Sequence, residues 1–225
     1  YEKEVRMISS LISARVSGVI ASISKETTNY AHFQELMDDN TPLVFFDRIC
    51  TGINTDRVII DDYTGAFSAV EYLIKTGCKR IAFYSAPFTL EISKNRKNGY
   101  LDALREYGIK VDESLVHVCD TRQDAIELTQ QLLQAPNRPD AFFAINDATA
   151  SGVLSAVKKV GLRVPEDVSI CGFGDGIIAS TSDPLLTTVQ QNGYQMGVEA
   201  CNMLLKRIEN ELSPTQFNHR LIRTS

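Results

Sequence analysis

Short apolar runs alternate with amphipathic stretches along the whole chain. Residues Glu2 to Val16 place Val5, Ile8, Leu11, Ile12 and Val16 on one face at helical spacing, and Gly18 to Ser22 follows as a short apolar strand. The same reading predicts helix around Tyr30 to Asp39, strands Leu43 to Phe46 and Arg57 to Ile60, helix Tyr63 to Thr76 and strand Arg80 to Tyr84. Further on it predicts helix Ser93 to Tyr107, strand Leu115 to Cys119, helix Gln123 to Ala135, strand Asp140 to Ile145 and helix Ala148 to Val160. Strand Val168 to Gly172, a helix from about Tyr194 to Asn210 and strand Phe217 to Ile222 complete the series. Three helices stop at Gly77, Gly108 and Gly161 and lead into a strand within a few residues. Glycine supplies the left-handed helix stop, and the alternation is the βαβ grammar of parallel sheets, so the fold class is α/β.

Length changes this picture from one sheet to two. At 225 residues the chain suits two lobes of roughly 100 residues each, and an apolar fraction of 44% can fill a core in both. Lys plus Arg number 23 against 28 Asp plus Glu, a net charge of -5, with no dense basic stretch to hold a phosphate backbone. Five cysteines, Cys50, Cys78, Cys119, Cys171 and Cys201, are odd in number and widely spaced, which favours a reducing, cytoplasmic setting over a disulfide framework. No apolar run reaches the length of a membrane span.

Enzyme signatures are missing. Neither G-x-S-x-G nor G-x-x-x-x-G-K-[ST] occurs, and His32, His117 and His219 lack metal-ligand spacing, so no metal, cofactor or catalytic residue is expected. Gly172, Gly174 and Gly176 form G-x-G-x-G after a strand, but the spacing is wrong for a dinucleotide site and IIASTSDP does not read as a helix. Polar residues stand instead at strand ends: Ser22 after GVIA, Asp47 after LVFF, Asp120 after LVHVC, Asn146 and Asp147 after AFFAI, and Asp175 after SICGFG. Loops leaving a parallel sheet at this edge form ligand crevices, and this set suits a hydroxyl-rich molecule. Each residue also has a plainer reading: Asp120, Asn146 or Asp147 as helix caps, Asp47 as a partner of Arg48 or Arg57, Ser22 as a turn residue.

The motifs GVIAS, LVFFDR, VIIDDYTGA, LIKTGCKRIAFYS, RKNGY, PDAFFAIND, VPEDVSICGFGD, DPLLTTVQQ and LIRTS, in that order, resemble the effector-binding domain of the lactose-repressor/galactose-repressor family of bacterial transcription regulators. The resemblance implies two Rossmann-like parallel-sheet lobes of the periplasmic-binding-protein type (type I), with a sugar or sugar-derivative effector held in the cleft between them. It implies an N-terminal lobe of residues 1–61 plus 191–217 and a C-terminal lobe of residues 62–190 plus 218–225. It further implies a homodimer, formed partly through Leu154 and Val157 and the segment near Ile178 to Pro184, and operator DNA contacted only through a helix-turn-helix head absent from this chain. The family's first lobe opens with a strand, a helix and another strand ahead of the helix matching Glu2 to Val16, so the N-terminal lobe is expected to be truncated. The competing reading is a solute-binding protein of a sugar transporter, which shares the fold.

The resemblance assigns ligand contacts to Asp47, Arg96, Asn146 and Asp147; with Ser22 and Asp120 from the strand ends these form the candidate ligand-binding set. Arg96 is the arginine of R-x-x-G-Y. Lys94, Arg96 and Lys97 crowd one helix start, against the macrodipole, so something is expected to offset them. Where sugar-binding members commonly carry G-F/Y-D-D, this chain has Gly174 in place of the first carboxylate. These features together lead to the expectation of an acidic or phosphorylated sugar, with a neutral sugar as the alternative.

Overall fold

The computed structural model describes residues 1–213 and 215–225. It divides into two compact units, Tyr1–Asp61 with Asn192–Arg223, and Asp62–Gln191 with Thr224–Ser225.

The first unit runs α1 (Glu2–Ser13), β1 (Val19–Ala21), α2 (Ala31–Asp38), β2 (Leu43–Phe46) and β3 (Asp56–Ile60), and later gains α8 (Gly193–Ile208) and β9 (His219–Ile222). Its sheet is parallel throughout, in the order β1-β2-β3-β9. One face packs Val19, Leu43 and Phe45 against Ile8 of α1 and Phe33 and Leu36 of α2. Helix α8 packs on β1, β2 and β3 and buries Met196, Ala200 and Met203. Asp56 is a buried carboxylate at the start of β3, and Arg207 donates to it from Nε at 2.5 Å and Nη2 at 2.9 Å. The Asn218 N–H donates to the same carboxylate at 2.7 Å, so one charge fastens β3, the end of α8 and the approach to β9.

That pairing corrects the expected division of the chain. Residues 218–225 do not all return to the second lobe, because β9 aligns with β3 from Arg57↔His219 to Ile60↔Ile222 and completes the first sheet. The passage falls after Arg223 instead.

The second unit contains α3 (Asp62–Lys75), β4 (Ile81–Ser85), α4 (Glu91–Glu106), a 3-10 turn at Glu113–Leu115, β5 (Val116–Val118), α5 (Arg122–Leu133), β6 (Ala141–Ala144), α6 (Asp147–Lys159), β7 (Ser169–Gly174), α7 (Ile177–Thr181) and β8 (Thr187–Gln190). Its strands are parallel in the order β5-β4-β6-β7-β8, so every carboxyl end lies on the same edge of the sheet. Strands β4 and β6 are buried on both faces, as their unbroken apolar runs require. Ala82, Tyr84, Phe142, Ala144 and Ile170 join the core with Ala125, Val153 and Val157 of α5 and α6. On the opposite face Phe83 stacks on Tyr100 of α4 at 5.2 Å and on Phe143 at 5.3 Å.

The predicted glycine stops are present, with φ of 104° at Gly77, 66° at Gly108 and 78° at Gly161. Three elements escape the periodicity: the 3-10 turn, α7 and β8. Helix α7 has five residues, with the Ser180 and Thr181 hydroxyls returning to the Ile177 carbonyl, so IIASTSDP does open a helix, though one too short to show a period. Strand β8, TTVQ, has only Val189 buried.

Candidate functional site

In the first unit, Ser22 and Asp47 end adjacent strands. Ser22 follows β1 and lines a cavity of about 400 Å³ together with Glu4, Ile8, Val19, Ser24 and Phe33. Its Oγ is buried and has no hydrogen-bond partner. Asp47 follows β2 in a left-handed conformation, φ 58°, fixed by its N–H donating to the Val58 carbonyl at 3.1 Å. Its carboxylate has no partner among the described residues, so neither expected pair, with Arg48 or with Arg57, is formed; one Arg57 Nη donates instead to the Ile53 carbonyl at 2.5 Å.

The second unit treats its candidates differently. Arg96 is 2% exposed, and its Nε and Nη2 contact Oδ1 of buried Asp62 at 2.8 and 2.7 Å. Nη1 donates to the Ile145 carbonyl, and the guanidinium lies 3.6 Å from the Phe173 ring centroid. A cation over an aromatic face and in contact with a carboxylate is offset within its own unit. The neighbouring cations are offset as well: Lys94 pairs with Glu91 at 2.7 Å and Lys97 with Glu113 at 3.3 Å. Helix α4 begins at Glu91, earlier than Ser93, so an acidic residue occupies its first turn and the macrodipole conflict that suggested an anionic ligand is relieved by the chain itself.

The rest of RKNGY has equally physical reasons. A side chain on Gly99 would collide with the Tyr63 carbonyl of α3, and the Tyr100 hydroxyl donates to the Ile81 carbonyl at 2.9 Å. The motif is a packing unit that lays α4 on α3 and delivers Arg96 to the carboxyl end of β6.

Asn146, rather than Asp147, caps α6, its Oδ1 accepting the Thr149 N–H at 2.8 Å. Buried Asp147 reaches sideways, accepting the Thr188 hydroxyl at 2.6 Å and the Gly176 N–H at 3.1 Å. Its carboxylate lies against Gly172 and Gly174: a Cβ on Gly172 would collide with Oδ1, and one on Gly174 would sit 3.0 Å from Oδ2. Gly174 also has φ 145°, a conformation side chains rarely adopt. The glycine run therefore makes room for a neighbouring carboxylate and is no phosphate loop. Asp120, at the end of β5, does not cap α5 either; Thr121 does, accepting the Asp124 N–H at 3.2 Å.

Asp62 and Thr188 are the residues that sequence reading missed, and the VIIDDYTGA and DPLLTTV motifs were the signals that contained them. Burial pushes the Cys119 and Cys171 thiols up to about 12, so neither is a thiolate near neutrality. No group of His, Cys, Asp or Glu among the described residues has metal-binding geometry, and no described helix is long and apolar enough to cross a membrane.

Two units, each a parallel sheet with helices and with polar residues at its strand ends, have the periplasmic-binding-protein-like architecture. A family model of the periplasmic binding protein-like domain matches residues 70–224. The HTH-type transcriptional repressor CytR of Escherichia coli (strain K12) is 38% identical over 171 residues, which are 76% of this chain and 50% of that protein. Catabolite control protein A of Priestia megaterium is 32% identical over 98% of this chain and 67% of its own length. Among solved structures, a complex of the transcriptional regulator CelR with cellobiose superposes with a TM-score of 0.87 at 30% identity, covering 98% of this chain and 67% of that one. The chain belongs to the periplasmic-binding-protein-like family, among the effector-binding domains of lactose-repressor/galactose-repressor regulators. It spans about half the length of the CytR relatives it matches.

Proposed function

We propose that the chain senses a small effector for a DNA-binding transcription regulator, acting in the cytoplasm as a homodimer and carrying out no catalysis. Its relatives are repressors and control proteins, which favours this reading over a transporter's solute-binding protein. The effector binds one arrangement of the protein better than another, and that difference in affinity biases operator binding through a helix-turn-helix head outside this domain.

The effector is a neutral, hydroxyl-rich sugar or sugar derivative. The observation that carries this is the buried pairing of Arg96 with Asp62, which commits that guanidinium within its own unit; the Lys94–Glu91 and Lys97–Glu113 pairs are exposed and add little. The expectation of an acidic or phosphorylated sugar loses the free guanidinium of Arg96 as its support. Ser22 and Asp47 hold open a hydroxyl and a carboxylate, groups that suit sugar hydroxyls. Arg96, Asp120, Asn146 and Asp147 remain ligand-binding candidates at the strand ends of the second unit.

Of the expected dimer residues, Leu154 and Val157 are buried in the core of the second unit, so the face falls to the expected segment near Ile178. Ile177, Ile178 and Leu185 are exposed and supply the apolar patch that a twofold interface needs. The functional test is operator affinity of the head-bearing regulator across a panel of neutral sugars. A sugar that binds the domain and shifts operator affinity is expected; domain binding with no shift for any sugar overturns the regulatory reading.

A further inference from the structure

The loop that leaves β1 is held by a residue outside the candidate set. Glu4 of α1 directs its carboxylate at that loop: Oε2 accepts the Ser24 N–H at 2.5 Å, and Oε1 accepts the Thr27 hydroxyl at 2.7 Å. Oε1 also meets His32 Nε2, from the first turn of α2, at 2.8 Å. The His32 ring is buried and its Nδ1 has no partner. Facing a carboxylate acceptor, Nε2 carries the ring proton, so three donors from residues 24–32 converge on one carboxylate. Glu4, Ser22 and Ser24 line the same cavity.

An anchor of this kind does more than close a loop. Ser22 stands two residues before Ser24, and its Oγ makes no hydrogen bond that would place it. The position of that hydroxyl follows from the backbone on either side, which β1 fixes before it and which, after it, the Ile23 N–H on the Arg48 carbonyl at 3.1 Å and the Ser24–Glu4 bond fix together. Hydrogen bonds to a charged acceptor are the stronger kind, and a functional side chain is as well placed as the contacts behind it.

We propose that Glu4 is a positioning residue for the strand-end loop that carries Ser22, setting the hydroxyl that the first unit offers to an effector. This rests on the reading that the carboxyl end of β1 faces effector. Glutamine keeps one acceptor oxygen for Thr27 and His32 but turns an amide donor toward the Ser24 N–H, whereas alanine removes all three contacts.

Hydrogen exchange by mass spectrometry on the effector-free chain tests positioning separately from effector binding, which only a titration reports. Glu4→Gln is expected to speed exchange at Ser24 to Thr27 by roughly tenfold or more, with β2 and α8 unchanged. Ring ¹⁵N shifts of His32 are expected to report the Nε2–H form in the parent and to change in Glu4→Ala. Thr27→Val, which leaves the carboxylate intact, is expected to keep Ser24 protected. Unchanged exchange at Ser24 in Glu4→Gln, or an equal rise across the whole first unit, overturns the proposal.

Discussion

The two units handle polar strand ends in opposite ways. In the second, Arg96, Asn146 and Asp147 are already engaged: Arg96 with Asp62, Asn146 with the start of α6, and Asp147 with Thr188 and Gly176. In the first, the Ser22 hydroxyl and the Asp47 carboxylate have no partner among the described residues, and the side chain that holds the loop, Glu4, acts on the Ser24 backbone two residues past Ser22. A buried polar group left unmatched is costly. The second unit matches these three candidates while leaving the Ser93 and Thr149 hydroxyls without a partner among the described residues, so a ligand there must read what the three leave over. The open groups of the first unit can reorganise around a ligand at less cost to the fold.

Breaking the Arg96–Asp62 pair gives the largest expected effect. Arg96→Ala leaves the Asp62 carboxylate buried without its guanidinium, and denaturant unfolding is expected to show a loss of about 3–5 kcal/mol. A loss within the scatter of surface substitutions would mean the pair is not latched as described.

Gly99→Ala comes next. Its methyl group meets the Tyr63 carbonyl at the α3–α4 contact, with an expected cost of about 1–3 kcal/mol by the same measurement. An unchanged midpoint would show that α4 can lift from α3 freely.

Ser22→Ala and Asp47→Asn sharpen the contrast from the other side. Stability is expected to stay within about 0.5 kcal/mol of the parent, because neither side chain has a partner to lose. Affinity for a bound neutral sugar is expected to fall about tenfold or more by calorimetry, as a lost charge-assisted hydrogen bond requires for Asp47. Parent-like affinity in both variants would put recognition in the second unit alone.

The smallest effect concerns His117, whose pKa burial lowers from its usual 6.5. The unfolded chain takes up this proton before the folded one does, so stability is full above about pH 6.5 and declines below it. His117→Asn is expected to flatten that decline in acid unfolding curves, and a profile that parallels the parent's would remove His117 as its source.

Most elements of both sheets were legible because buried parallel strands are continuous apolar runs, as in IAFYS and AFFA, and glycine stops mark the helices between them. Strand TTVQ was not legible: it buries one side chain, and its threonines serve the sheet edge and Asp147. The passage after Arg223 was misplaced because nothing in HRLI tells a strand of one sheet from a strand of the other; the register with β3 decides it. At the site, residue positions were readable and their partners were not. Arg96 looked like an uncompensated cation because Asp62 lies 34 residues away in sequence, and the glycines of GFGDG looked like a lost carboxylate because the group that occupies their space, Asp147, comes from the preceding strand end.

The direct measurement of the account is calorimetric titration of the chain with sugars in neutral and phosphorylated pairs, ribose with ribose 5-phosphate and glucose with glucose 6-phosphate, alongside cellobiose. The buried pairing of Arg96 with Asp62 predicts that a neutral sugar binds and that adding phosphate weakens binding at least tenfold, about 1.4 kcal/mol. Tighter binding of the phosphorylated member of a pair, lost in Arg96→Lys, would contradict it by showing that the guanidinium serves the ligand and not Asp62.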